Sequence, residues 1–132
     1  MNNEQGKVRD FTIPEVAAKI VEVRKMKVIL DSDVAFLYAV DIRKIKQSIK
    51  NNPAKFPADY IISLNDDEME DLRSKVLIAK SGKSGVMPKA FTEKGLYMLA
   101  TILRSPQATL TSLVIIETFA KMREQGTRNH EQ

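Results

Sequence analysis

Apolar residues recur along this chain at two spacings, and a change of spacing marks a change of secondary structure. Val34, Leu37 and Tyr38 stand three and four apart, and after a short break Ile42, Ile45 and Ile49 repeat that helical interval. Asp31 or Ser32 can cap the first of these helices, because a side-chain oxygen satisfies the free N–H groups at a helix start; Asp41 can cap the second. The stretch Leu30–Tyr60 therefore reads as two short helices joined by a tight turn. Pro53 and Pro57 end it, since proline neither continues a helix nor donates to a β-ladder.

The flanking segments are read the same way. Pro14 can open a short helix through Glu15–Lys19, while Ile20–Val23 and Lys27–Leu30 are rich in β-branched residues and suit strands. Arg24–Lys25–Met26 would be the hairpin loop between them; the alternative is a single helix over Glu15–Val23. Tyr60–Leu64 alternates like a strand, and Asn65 caps an expected helix Asp66–Lys75. Val76–Ala79 and Val86–Phe91 flank the tip Lys80–Gly85, which suits a second hairpin or a basic surface loop. Thr92 caps a helix carrying Leu96, Leu99, Ala100 and Leu103. Ser105-Pro106 starts the last helix, expected to reach about Glu124. Its apolar residues, among them Leu110, Leu113, Ile115, Ile116 and Phe119, cover more than one face. Such a helix is deeply buried or packs on a partner, so a homodimer contact through it is expected. The expected division is a flexible segment 1–12, a domain 13–124 and a polar tail 125–132. The expected fold is α+β: a helix-turn-helix-like pair, small antiparallel hairpins and two longer C-terminal helices.

Composition narrows the function. At 132 residues and 43% hydrophobic, the chain suits one domain with a proper core. A net charge of +4 and a pI near 9.3 are compatible with nucleic acid without demanding it. The absence of cysteine excludes disulfides, thiolate metal sites and cysteine nucleophiles. The longest apolar runs, such as Leu113–Ile116, are far too short to span a bilayer, and Met1–Asp10 lacks an apolar signal core. A cytoplasmic protein without a membrane partner is the expectation.

The second helix of the pair carries the candidate chemistry. Opposite its isoleucines, Arg43, Gln47 and Asn51 recur at intervals of four, flanked by Lys44, Lys46 and Lys50. From Ile42 to Lys55 there are five Lys/Arg and no Asp or Glu. Arg, Gln and Asn can each make paired hydrogen bonds to a base edge, and uncompensated lysines suit phosphates. A helix of this kind fits a major groove; the plainer alternative is a solvated basic face. Lys80, Lys83 and Lys89 could brace the neighbouring DNA backbone. Gly82-Lys83-Ser84 resembles the end of a phosphate-binding loop, but Leu77 replaces the required earlier glycine and Pro88 blocks the required helix. The five acids within Asp66–Asp71 complement a helix dipole and splay around the helix, which argues against a metal site. Asp31 and Asp33 are explained by capping, and the single histidine, His130, falls in the expected tail. Neither a catalytic constellation nor a cofactor is expected.

These residues also resemble a family. Val28-Ile29-Leu30-Asp31-Ser32-Asp33-Val34-Ala35 with Leu37-Tyr38 is similar to the opening signature of the phage ORF-six N-terminal domain family, related to KilA-N and Bro-N domains. Asn51-Asn52-Pro53-Ala54-Lys55-Phe56-Pro57-Ala58-Asp59-Tyr60, Leu72-Arg73-Ser74 and Pro88-Lys89-Ala90-Phe91-Thr92-Glu93-Lys94-Gly95-Leu96-Tyr97-Met98-Leu99 follow in the family's order. Leu103-Arg104-Ser105 and Phe119-Ala120-Lys121-Met122-Arg123 close the series, so the resemblance covers roughly Ile20 to Glu124. It implies double-stranded DNA binding without catalysis, in phage- or prophage-type antirepressors or transcriptional regulators, with a further domain in a longer parent. The rival expectation is a protein-interaction module whose apolar last helix captures a repressor protein. The family often has glycine after the Leu-Tyr pair; here Ala39 stands there, and alanine resists positive φ.

Overall fold

The computed structural model describes residues 8–75 and 88–131, with side chains described as far as Gly126. Helix α1 (Ile13–Ala17) starts at Thr12 with a reciprocal cap. The Glu15 N–H donates to Thr12 Oγ1 at 3.3 Å, and the Thr12 N–H donates to Glu15 Oε1 at 2.8 Å. Strands β1 (Ile20–Val23) and β2 (Met26–Leu30) then form a hairpin, not a continued helix. Its turn is only Arg24 and Lys25, both left-handed at φ 55° and 65°. Two consecutive positive φ values give the turn twist that matches antiparallel strands.

Helix α2 (Asp31–Tyr38) differs from expectation at its start. Its N-cap is Leu30, with no side-chain cap, and Asp31 is the first helical residue. Asp31 is buried, and its Oδ2 accepts the backbone N–H of Lys89 at 3.2 Å. The carboxylate thus joins α2 to a distant strand. Helix α3 (Ile42–Asn51) is capped as expected: the Arg43 N–H donates to Asp41 Oδ1 at 2.8 Å. A 3-10 turn (Pro53–Lys55), strand β3 (Ile61–Ser63) and helix α4 (Asp66–Lys75) follow. Asn65 and Glu68 cap α4 reciprocally at 2.8 and 3.0 Å.

Strand β4 (Lys89–Thr92) is not one arm of a local hairpin. It pairs with β2 and β3 in one antiparallel sheet of order β1-β2-β4-β3. The rest of the expected hairpin, Val76–Ala79 with its Lys80–Gly85 tip, lies outside the described residues. Helix α5 (Glu93–Ala100) is capped by Thr92 Oγ1, and α6 (Pro106–Glu131) by Ser105 Oγ. Helix α6 continues through the stretch expected as a polar tail, because Arg123, Glu124 and Gln125 are good helix formers. The fold is α+β.

The sheet separates two apolar cores. Ile29 and Phe91 face a large core with Val34, Leu37, Tyr38, Ile45, Leu96, Leu99, Ile115 and Phe119. Val28, Leu30 and Ala90 face the other side, with Met69 and Leu72 of α4. Successive strand residues point to opposite faces, so helices α2, α3, α5 and α6 occupy one layer and α4 the other. Arg24 pins α4 to the hairpin: its Nε and Nη2 donate to Glu68 at 2.6 and 3.0 Å, and Nη2 also reaches the Ser63 carbonyl at 2.9 Å.

Between α2 and α3, Ala39 takes the left-handed conformation (φ 58°, ψ 45°). The Val40 N–H donates to the Ala35 carbonyl at 3.0 Å and the Ala39 N–H to the Phe36 carbonyl at 3.1 Å. This is a Schellman ending, and it satisfies carbonyls that the helix leaves open. Helix α6 closes another: Thr111 Oγ1 donates to the Leu37 carbonyl at 2.8 Å, with the Tyr38 and Ser112 hydroxyls 2.7 Å apart beside it. Residues 8–12, expected as loose, are docked. Phe11 is buried, and Gln107 exchanges hydrogen bonds with the Arg9 N–H and carbonyl at 2.5 and 2.8 Å. No helix among the described residues is long and apolar enough to cross a membrane.

Two substitutions test this packing. Ala39→Gly relieves the left-handed strain and should stabilise the protein by about 1 kcal/mol in urea unfolding. Gly95→Ala should cost about 3 kcal/mol or more, because a Cβ there would lie 2.0 Å from the Tyr60 carbonyl oxygen.

Candidate nucleic-acid interface

Helix α3 sits on the domain as its stripe predicts. Ile45 is fully buried, Ile42 and Ile49 pack half-buried against the large core, and the opposite side faces solvent. Ser48 is the one buried polar residue of the helix, and its Oγ donates to the Lys44 carbonyl at 2.9 Å. Arg43, Lys44, Lys46, Gln47, Lys50, Asn51 and Lys55 are all exposed. The acids of α4 lie across the sheet from this surface, in the other layer.

The three proposed base readers are not equally free. Asp41 lies one residue outside the acid-free window, and it holds Arg43 through Nε at 3.1 Å and Nη2 at 3.0 Å. These bonds, with that from the Arg43 N–H, bring the Asp41 carboxyl down to about 2. The Arg43 side chain is still 87% exposed, so this is a surface pair that a stronger acceptor can replace. Gln47 and Asn51 bond to each other, the Gln47 Nε2 donating to Asn51 Oδ1 at 2.9 Å. That bond aligns two amides one turn apart and leaves the Gln47 oxygen and the Asn51 nitrogen free to face outward.

Lys44, Gln47 and Asn51 also line a groove of ≈ 510 Å³ whose far wall is Arg104 and Ser105, with Tyr38 and Leu103 among its other lining residues. Arg104 is exposed and makes no ion pair among the described residues. Neither the helical spacing nor the acid-free stretch of α3 marks it as part of this surface, because it joins the site only through the packing of α6 against α2. Lys46 lies on the Asp31 side of α3. Burial pushes the Asp31 carboxyl up, while the Lys89 N–H and the Lys46 and Lys89 charges oppose that rise. The structure therefore brings Lys46 and Lys89 to one edge of the surface. Lys80 and Lys83 lie outside the described residues.

The model of the ORF6N domain family matches residues 18–102. The chain belongs to the ORF6N domain family. No curated protein and no solved structure matches it significantly. The ORF6N match contains the whole of α2, α3 and the sheet, whereas Arg104 and α6 lie beyond it. In this ORF6N domain the exposed face of α3 thus falls inside the family's span, and the second wall of its groove falls outside.

The Asp41–Arg43 pair has a definite pH signature. A depressed native pKa means its stabilising contribution is complete above the unfolded value of about 3.9 and fades as pH falls toward about 2. In an NMR titration Arg43→Ala should return Asp41 toward the ordinary carboxylate range. An Asp41 curve that does not move would remove Arg43 as the cause.

Proposed function

We propose that this ORF6N domain binds double-stranded DNA, with α3 in the major groove. The supporting observation is the exposed polar face of α3, whose lysines have no ionic partner among the described residues and whose acidic neighbour α4 occupies the opposite layer. Gln47 and Asn51 face base edges, with Arg43 joining them after leaving Asp41. Lys46 and Lys50 hold phosphates along one flank, where Lys89 extends their row, Lys44 and Arg104 hold phosphates at the groove on the other flank, and Lys55 adds a contact beyond the helix end. Lys80 and Lys83 brace the adjacent backbone. The activity is binding without catalysis or cofactor, in a phage- or prophage-type antirepressor or transcriptional regulator acting in the cytoplasm.

A second reading is favoured by α6, where Leu113 and Ile116 are 55% and 42% exposed. Two large apolar residues one turn apart suit a contact with a second copy of the chain or with a repressor protein. The two readings are compatible if α6 forms the dimer and α3 reads half-sites.

Binding to a random duplex at low salt, followed by fluorescence anisotropy, separates them. Micromolar binding supports the DNA reading, and none supports the interaction module. Lys46→Ala and Arg104→Ala should each weaken binding on every sequence and lower the salt slope by about 0.9. Gln47→Ala should alter the ranking of sites selected from a random pool while leaving that slope unchanged.

A further inference from the structure

The bonds made by Arg43 leave one edge of its guanidinium open. Asp41 stands just before α3 and is fixed to it, because its Oδ1 accepts the Arg43 backbone N–H at 2.8 Å as the cap of the helix. The same carboxylate takes the Arg43 Nε–H at 3.1 Å through Oδ1 and an Nη2–H at 3.0 Å through Oδ2. Both oxygens therefore lie along the Nε side of the planar group. A guanidinium carries five N–H donors in a rigid fork. Among those that Asp41 leaves, one on Nη1 and one on Nη2 run parallel at the end of the group. The Arg43 side chain is 87% exposed, and its only ion pair among the described residues is with Asp41.

A surface arginine without a partner samples many rotamers, and fixing one of them on binding carries an entropic penalty. Here an acceptor tied to the backbone selects the rotamer beforehand. The base pairs offer the open end different partners. In the major groove guanine presents two acceptors side by side, O6 and N7, which match two parallel N–H groups. Adenine sets an N–H donor beside its N7, thymine sets a methyl group beside its one acceptor, and cytosine presents a donor. To meet a phosphate or another base Arg43 swings off Asp41 and gives up two bonds. Guanine is the target it meets in place.

We infer that the Asp41–Arg43 pair makes guanine the preferred base opposite the first turn of α3, Arg43 reading O6 and N7 while Asp41 holds it. Asp41 is a positioning residue in this arrangement and touches no base. The inference rests on the reading of α3 as a major-groove helix, and departure of Arg43 from Asp41 then belongs to sites that lack the guanine.

Selection from a pool of random duplexes by the full chain, followed by fluorescence anisotropy on a selected duplex, tests this. The wild-type chain should enrich guanine at one position. Replacing that guanine by adenine, or by 7-deazaguanine, which lacks N7, should weaken binding at least about tenfold. Arg43→Lys keeps the charge without the fork and should lose this discrimination. Asp41→Asn and Asp41→Ser both keep a residue suited to the cap, so the circular dichroism spectrum should not change. Both should bind random duplex at least as tightly as the wild type, since an acid has been removed, yet separate guanine from adenine about threefold less well. Weaker binding to every sequence at a fixed guanine-to-adenine ratio would reduce Asp41 to a cap and overturn the inference. Discrimination that survives Arg43→Lys, or a wild-type chain that binds duplex without enriching such a guanine, would overturn it too, and each of these results leaves DNA binding standing. A wild-type chain that binds no duplex would overturn both readings.

Discussion

The alternation of side chains along β2 and β4 is the constraint on which the remaining architecture rests. Ile29 and Phe91 project into one core, and Val28, Leu30 and Ala90 into the other. A slip of one residue in the pairing Ile29↔Phe91 would exchange these sets and leave both helical layers without a matching surface. The same register keeps opposite charges apart. Five acids of α4 and five cations between Ile42 and Lys55 are attached to opposite faces of one sheet. The Debye length at physiological salt is about 8 Å, and stacked layers are about 10 Å apart, so the acids screen the cations only weakly.

Attachment of α3 to this scaffold is indirect. Its buried contact is chiefly Ile45, and its orientation is inherited from α2 through the Schellman turn at Ala39. Helix α2 is itself held at both ends. Asp31 accepts the Lys89 N–H at the start, and Thr111 donates to the Leu37 carbonyl near the finish. Net hydrogen bonds of this kind contribute only about 1 kcal/mol each, but an unmet buried carbonyl or carboxylate costs more, which makes the seating of α2 specific. Gly95 serves the same end in another place, since only a residue without a Cβ lets α5 approach the Tyr60 carbonyl.

Features set within a few residues could be read from the chain. The caps at Asp41, Asn65, Thr92 and Ser105, the isoleucine stripe of α3 and the strands around Arg24–Lys25 all depend on near neighbours, and all are present. What escaped depends on distant ones. Asp31 carries every local mark of a cap, yet its partner is 58 residues away. Strand β4 has the local pattern of a hairpin arm, yet its partners are β2 and β3. Arg104 enters the α3 groove through tertiary packing alone. The hold of Asp41 on Arg43 is local, and Asp41 stands immediately before the acid-free stretch Ile42–Lys55. The extension of α6 was obscured because its apolar residues stop at Met122 while its helix-forming residues do not. The ordered blocks of the ORF6N family carried information that periodicity lacks, because they link segments far apart in sequence.

The Gln47–Asn51 hydrogen bond bears on how strictly α3 could discriminate among targets. Two exposed amides that bond each other once and meet water with their remaining oxygen and nitrogen do not depend on a ligand to hold their geometry. Opposite an unsuitable base they can simply stay closed, and the penalty for a mismatch stays small. A pair of this kind would favour tolerance over stringency, so a tight operator would have to draw its selectivity from the shape and bendability of the duplex as well.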